Sequence, residues 1–155
     1  MGVSGCGKSS VGIALANKIG AEFVDGDDLH PEANRKKMSS GTPLEDSDRW
    51  PWLRSVGETL QGQENIVVAC SALKKSYREK ILQYCPETKF IHLNGSKSLL
   101  LSRLQQRSDH FMPAELLDSQ LETLEFLESS EPGKSFDIGK PILQLVAEIK
   151  TWIAS

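Results

Sequence analysis

The sequence predicts a single α/β domain, a three-layer α/β/α sandwich around a central parallel sheet. Three observations predict it. Short apolar runs of strand length alternate with helical periodicities. The segment GVSGCGKS at residues 2–9 has the spacing of a glycine-rich, phosphate-cradling turn that opens a helix. At 155 residues the chain fills one domain and leaves no room for a second.

The elements follow in order along the chain. Residues 22–25 (EFVD), 65–70 (NIVVAC), 89–93 (KFIHL) and 134–138 (KSFDI) read as strands. Val11, Ala14, Leu15 and Ile19 recur at helical spacing, and Gly20 supplies a stop. Pro31 sits where a first-turn proline would, with Gly41 closing that segment. Trp52, Leu53, Val56 and Leu60 form a third helical face that ends at Gly62. Tyr77 with Ile81, Leu100 with Leu104, and Leu117 with Leu121 and Leu124 mark three more. Leu145, Val146, Ile149, Trp152 and Ile153 mark the last. Short strands separated by helices imply parallel pairing with right-handed crossovers. An apolar strand normally leads into the first glycine-rich turn of such a sheet. Here Met1 alone precedes Gly2, so either the first strand is truncated or the sheet is completed by another segment.

Composition excludes several classes. With 39% hydrophobic and 25% charged residues, the chain is neither disordered nor of low complexity. A formal charge of −3, from 18 basic and 21 acidic residues, gives no footprint for nucleic acid or a membrane surface. No apolar run approaches the ~20 residues that span a bilayer, and the first residues lack a basic, apolar leader pattern. Cys6, Cys70 and Cys85 form no CxxC pair, which argues against a zinc or redox site. The expected setting is the reducing cytoplasm.

The chemistry-bearing residues gather at a few turns. In Gly2, Val3, Ser4, Gly5, Cys6, Gly7, Lys8 and Ser9, glycines let backbone N–H groups turn inward around phosphate oxygens. The following helix aims its positive end at the same place. Lys8 reaches the β- and γ-phosphates of such a ligand, and the Ser9 hydroxyl coordinates Mg²⁺. Asp25, Asp27 and Asp28 follow the strand at 22–25, at the sheet end where ligands gather. One carboxylate there can take a proton from a substrate hydroxyl while another helps hold Mg²⁺; an acidic turn and helix cap is the plain alternative. His30, just before Pro31, is the weaker member of this group. Ser71 and Lys74 follow the strand at 65–70, which lacks the terminal Asp of motor and GTPase sheets and suits a site that holds a polar substrate through hydroxyls and backbone N–H groups; a helix cap at Ser71 with solvated lysines is the plain alternative. Arg49 can clamp a carboxylate bidentately or pair with Asp46 or Asp48 on the surface. Arg103 and Arg107, spaced i, i+4 before a turn at 108–113, can share one helix face in a lid or form a solvated basic face.

Four segments together resemble one family: residues 1–9 (MGVSGCGKS), 25–53 (DGDDLHPEANRKKMSSGTPLEDSDRWPWL), 69–79 (ACSALKKSYRE) and 110–125 (HFMPAELLDSQLETLE). The chain resembles the small gluconate kinases of the thermoresistant gluconokinase type. The resemblance implies a P-loop kinase fold, one domain over 1–155 with a lid around 103–125, and ATP-dependent conversion of D-gluconate to 6-phospho-D-gluconate. It implies ATP and Mg²⁺ as cofactors, a place in carbohydrate acid catabolism feeding the pentose phosphate pathway, and a homodimer in some members. Residues 2–9 would bind ATP, with Ser9 and Asp25 at the metal. Lys8, Asp25, Asp27, Arg103 and Arg107 would be catalytic; Asp27, His30, Arg49, Ser71 and Lys74 would line the gluconate pocket. Cys6 departs from the small residue usual at its position. The rival readings are a shikimate-type or nucleoside monophosphate kinase, and a nucleotide-binding regulator without turnover.

Overall fold

The structure, a computed structural model, describes residues 1–107 and 114–155. The lid expectation for residues 108–113 lies outside the described residues. Strands β1 (Glu22–Asp25) and β2 (Ile66–Ala69) pair in parallel with Glu22 opposite Ile66 and Asp25 opposite Ala69. Strands β3 (Phe90–Asn94) and β4 (Gly133–Asp137) pair in parallel with Phe90 opposite Gly133 and Asn94 opposite Asp137. The helices are α1 (Lys8–Ile19), α2 (Glu32–Ser39), α3 (Asp46–Gln61), α4 (Lys75–Tyr84), α5 (Lys97–Gln105), α6 (Ala114–Thr123) and α7 (Ile142–Ala154). A 3-10 turn, Gly26–Leu29, links β1 to α2.

Alternation along the strands sends successive side chains to opposite cores. Val67 and Ile91 join Val11 and Leu15 of α1, Leu100 of α5 and Ile149 of α7. Val68 and Phe90 join Trp52, Leu53 and Val56 of α3 and Ile81 of α4. Two helical layers therefore flank the strands, as the sequence predicts. Each strand lies within a residue or so of its expected span.

Two boundaries differ from expectation. Helix α3 begins at Asp46, before the expected apolar face, and runs through Pro51. A capping box starts it: the Glu45 side chain accepts from the Asp48 backbone N–H, and the Asp48 carboxylate accepts from the Glu45 N–H at 2.9 Å. Helix α5 ends at Gln105, so Arg107 lies beyond it and does not share its face with Arg103.

Between β2 and β3 the ladder is carried by one residue. The Met1 amine donates to the Ile91 carbonyl, and the Leu93 N–H donates to the Met1 carbonyl at 2.9 Å, which is the reciprocal pattern of parallel pairing. On the other side, the Gly2 N–H donates to the Ser71 carbonyl at 3.2 Å. Below Met1 the two strand edges face a cavity of about 570 Å³ lined by Val11, Leu15, Val67, Val68, Phe90 and Ile91. Burial there pushes the Met1 amine down to about 6.

That cavity is flanked by the edges of β2 and β3, with apolar side chains from both strands facing it. A variant extended before Met1 by about five apolar, strand-forming residues would bury several side chains at ~1.5–3 kcal/mol each. It is expected to melt about 10 °C or more above the 155-residue chain in a thermal scan. Equal melting temperatures would mean that the slot does not accept a strand.

Candidate active site

The glycine-rich turn sits over the carboxyl ends of β2 and β3. Gly5 (φ 84°) and Gly7 (φ 90°) occupy the left-handed region, which lets the backbone curl in on itself. A side chain on Gly2 would strike the Cys6 Sγ at 2.8 Å and the Leu93 carbonyl at 2.9 Å. Cys6 is fully buried beneath the loop and contributes packing, so its thiol does not face a ligand. The Lys8 ammonium lies inside the ring of the loop, donating to the carbonyls of Gly2 (3.0 Å) and Val3 (3.2 Å).

Ser9, in the first turn of α1, donates its hydroxyl to Asp25 Oδ2 at 3.4 Å. Asp25 ends β1, and its Oδ1 accepts the Asp27 N–H at 3.0 Å, which starts the 3-10 turn. The hydroxyl and carboxylate are hard oxygen donors at the edge of the phosphate loop, a set that suits Mg²⁺. Among the described residues no cluster of three or more His, Cys, Asp or Glu forms a protein-only cage. The donor set therefore fits an ion that keeps waters and nucleotide phosphates in its shell.

The turn after β1 is tied to α3. Gly26 lies so close to β2 that an added Cβ would sit 2.4 Å from the Ala69 carbonyl, and its own carbonyl accepts the Trp52 indole N–H at 2.8 Å. His30 stacks on Trp52 with ring centroids 4.2 Å apart. Asn34 of α2 presents its amide nitrogen to His30 Nδ1 (3.1 Å) and to the Asp48 carbonyl (2.9 Å), which leaves the proton on Nε2. Burial lowers the His30 pKa, so the ring is neutral near pH 7.

Arg49 and Lys74 meet over one aromatic ring. The Arg49 guanidinium lies 5.6 Å, and the Lys74 ammonium 5.5 Å, from the Tyr77 ring centre. Both cations approach Asp46: Lys74 Nζ is 3.4 Å from each carboxylate oxygen, and Arg49 Nη1 is 3.9 Å from Oδ1. Arg49 also donates to the Leu44 carbonyl at 2.7 Å. Tyr77 donates its hydroxyl to Asp46 Oδ1 at 2.6 Å. That hydrogen bond, with Lys74 beside it, holds the Asp46 carboxyl below the usual range. Burial, and then the same bond, push the Tyr77 phenol up to about 12.

Ser71 is no helix cap, since α4 starts at Lys75; its backbone carbonyl receives the loop's Gly2 N–H instead. Arg103 sits beside the phosphate loop, its Nη1 3.8 Å from where a Gly7 Cβ would lie, and its Nη2 donates to the Ile138 carbonyl at 2.7 Å. The sequence reading offered Asp46 only as a surface partner of Arg49, a pair the structure has at 3.9 Å. It missed the bond of Asp46 to Tyr77, 31 positions away, and Gln120 of α6. The Gln120 amide accepts the Ser4 N–H at 2.7 Å and donates to the Ser4 hydroxyl at 3.1 Å. It also missed Arg78, fully buried, which reaches back to the carbonyls of Ala72 (3.0 Å) and Leu73 (3.2 Å).

A phosphate loop joined to a cluster of two cations suits the binding of anionic substrates, and comparison with known proteins shows the family. Residues 4–132 match the shikimate kinase family. A probable gluconokinase of Xenopus tropicalis is 44% identical, covering 97% of this chain and 89% of the relative. The gluconokinase of Gluconobacter oxydans is 48% identical, covering 85% and 76%. The chain belongs to the gluconokinase family. A crystal structure of a gluconokinase from Sinorhizobium meliloti superposes with a TM-score of 0.87 at 48% identity, covering 99% of this chain and 89% of that one. Shikimate kinase from Aquifex aeolicus, at 16% identity and a TM-score of 0.63, shares the P-loop kinase fold. Members of the gluconokinase family thus have the three-layer fold that the sequence predicts.

Lys8→Ala removes the one ammonium inside the loop while leaving Gly7, the residue that starts α1, in place. The variant is expected to keep its helical circular dichroism and less than about a tenth of the nucleotide turnover, a loss above ~1.4 kcal/mol. Greater retention would detach the loop from the reaction.

Proposed function

We propose that the protein transfers the γ-phosphoryl group of ATP to the terminal hydroxyl of D-gluconate, giving 6-phospho-D-gluconate. The observation that supports this reading best is the join between the two half-sites: the loop that holds Lys8 and Ser9 is bonded through Gly2 to the segment that leads to Lys74. Phosphoryl transfer asks little covalent chemistry of the protein; it needs alignment and neutralised charge.

In this reading the backbone N–H groups of residues 2–9 and the Lys8 ammonium bind the nucleotide phosphates. Ser9 and Asp25 hold Mg²⁺, which when bound withdraws charge from the phosphate oxygens. Arg103, already beside Gly7, adds positive charge at the same point, and Arg107 follows it in the chain toward the lid. Asp25 or Asp27 takes the proton of the attacking hydroxyl. His30, neutral and stacked on Trp52, presents an N–H to the acceptor chain. Arg49 and Lys74 face the acceptor carboxylate, and Ser71 lies in the segment between the two half-sites.

An ADP-release assay tests the reading. D-gluconate is expected to stimulate release, whereas shikimate and nucleoside monophosphates are not. ATP binding with no ADP release on addition of any acceptor would favour a nucleotide-binding regulator without turnover, and stimulation by shikimate alone would move the chain to that activity. Arg49→Lys keeps the charge but loses the planar fork. It is expected to raise the KM for gluconate about tenfold or more while leaving the KM for ATP within about threefold. Equal effects on both substrates would return Arg49 to a surface ion pair.

A further inference from the structure

Asp46 is a carboxylate placed where an acceptor's carboxylate should go. It sits between the two cations assigned to the acceptor, Arg49 and Lys74, and neither contact is tight: 3.9 Å to one and 3.4 Å to the other. Its one short bond is from the Tyr77 hydroxyl, at 2.6 Å. The Tyr77 ring is itself fixed from both sides. Trp50 packs edge-on to it with centroids 5.8 Å apart, and the two cations lie against it.

Helix capping does not account for Asp46. An acid in the first turn of α3 favours the helix, but Glu45 and Asp48 already form the capping box there. Asp48 also takes the neighbouring Lys37, whose ammonium lies 2.8–2.9 Å from its two oxygens. Asp46 is therefore the carboxylate that balances Arg49 and Lys74. With it ionised, the cluster of Arg49, Lys74 and Asp46 carries one net positive charge; the phenol of Tyr77 stays neutral and donates.

We propose that Asp46, oriented by Tyr77, is a specificity-determining positioning residue that sets the acceptor pocket to a single positive charge and so selects acceptors with one carboxylate over those with a dianionic phosphate head. The inference rests on the reading of Arg49 and Lys74 as acceptor ligands. A monoanion completes the charge balance of this pocket. A dianion would bring its second charge against Asp46, and like charges at contact distance repel. The carboxylate also holds the two flexible cations apart before substrate arrives, which lowers the ordering cost of binding. Tyr77 keeps the Asp46 carboxylate back from both cations, so they meet the acceptor rather than collapse onto it.

The test compares two ligands built on a six-carbon polyol chain, D-gluconate with its monoanionic carboxylate and D-glucitol 1-phosphate with its larger, dianionic phosphate head. Calorimetric binding in the presence of MgADP and kcat/KM with MgATP are measured on the wild type, Asp46→Asn, Asp46→Glu and Tyr77→Phe. The wild type should prefer gluconate. In Asp46→Asn the ratio of gluconate to D-glucitol 1-phosphate affinity is expected to fall about tenfold, and Asp46→Glu should restore it to within threefold of wild type. Tyr77→Phe should raise the KM for gluconate at least threefold with kcat within about twofold, because the released carboxylate then competes with the substrate. A folded Asp46→Asn variant whose ratio falls by less than threefold overturns the proposal, as does a Tyr77→Phe variant whose gluconate KM is unchanged. A wild type that binds gluconate but shows either result loses this inference alone. One that binds no gluconate loses the functional reading with it.

Discussion

A guanidinium with no exposed surface ties the two half-sites together. Arg78 of α4 makes a two-pronged pair with Glu131, at 2.6 and 3.0 Å, the carboxylate side chain being only 6% exposed. Its remaining nitrogen reaches the carbonyls of Ala72 and Leu73. Ala72 is held at φ 43°, a conformation that a non-glycine residue adopts only when its surroundings impose it. The bend so formed places Ser71 under the phosphate loop and Lys74 against Asp46. A buried pair of this kind adds little net stability compared with an apolar substitute, but losing one partner strands a charge and costs ~3–5 kcal/mol. The pair's value is geometric: it fixes the segment on which both half-sites depend.

Charge is organised in two layers around that segment. Near the loop, Lys8, Arg103 and the N-terminus of α1 gather around residues 2–9, with Ser9 and Asp25 beside them; an N-terminus so placed favours negative charge. Near α3, positive charge is trimmed by Asp46 and cushioned by the face of Tyr77. The turn at Gly26 and the stacked His30 and Trp52 lie between the two. On the proposed assignment the first region would take the polyanionic nucleotide and the second the acceptor's single carboxylate.

The sheet and the phosphate loop were legible because both are local. Runs such as NIVVAC and KFIHL can only be buried strands in this context, and GVSGCGKS states its own turn. The start of α3 was not legible. Its capping box uses Glu45 and Asp48 in place of the commoner hydroxyl and Glu, and Pro51 looks like a boundary although it lies within the helix. Asp46 and Arg49 therefore lay outside the helical face read from Trp52 onward. Arg78 was hidden in a charged run, KKSYREK, whose pattern suggests a solvated face; its partner is 53 residues away. Gln120 is 116 residues from the loop it holds. Pairings of that range leave no periodic trace. How β2 and β3 are joined was not legible either: Met1 bonds to Ile91 and Leu93 on one side and Gly2 to the Ser71 carbonyl on the other.

The central claim is that the acceptor lies with its carboxylate toward Arg49 and Lys74 and its far hydroxyl toward Asp25, Asp27 and the phosphate loop. The position of the phosphate on the product reads that orientation directly. Proton-coupled phosphorus NMR of the product formed from ATP and D-gluconate should show a phosphate monoester coupled to the two protons of the terminal carbon. Coupling to a single proton, as in a secondary ester, or an acyl phosphate without proton coupling would place the acceptor the other way round and contradict the account.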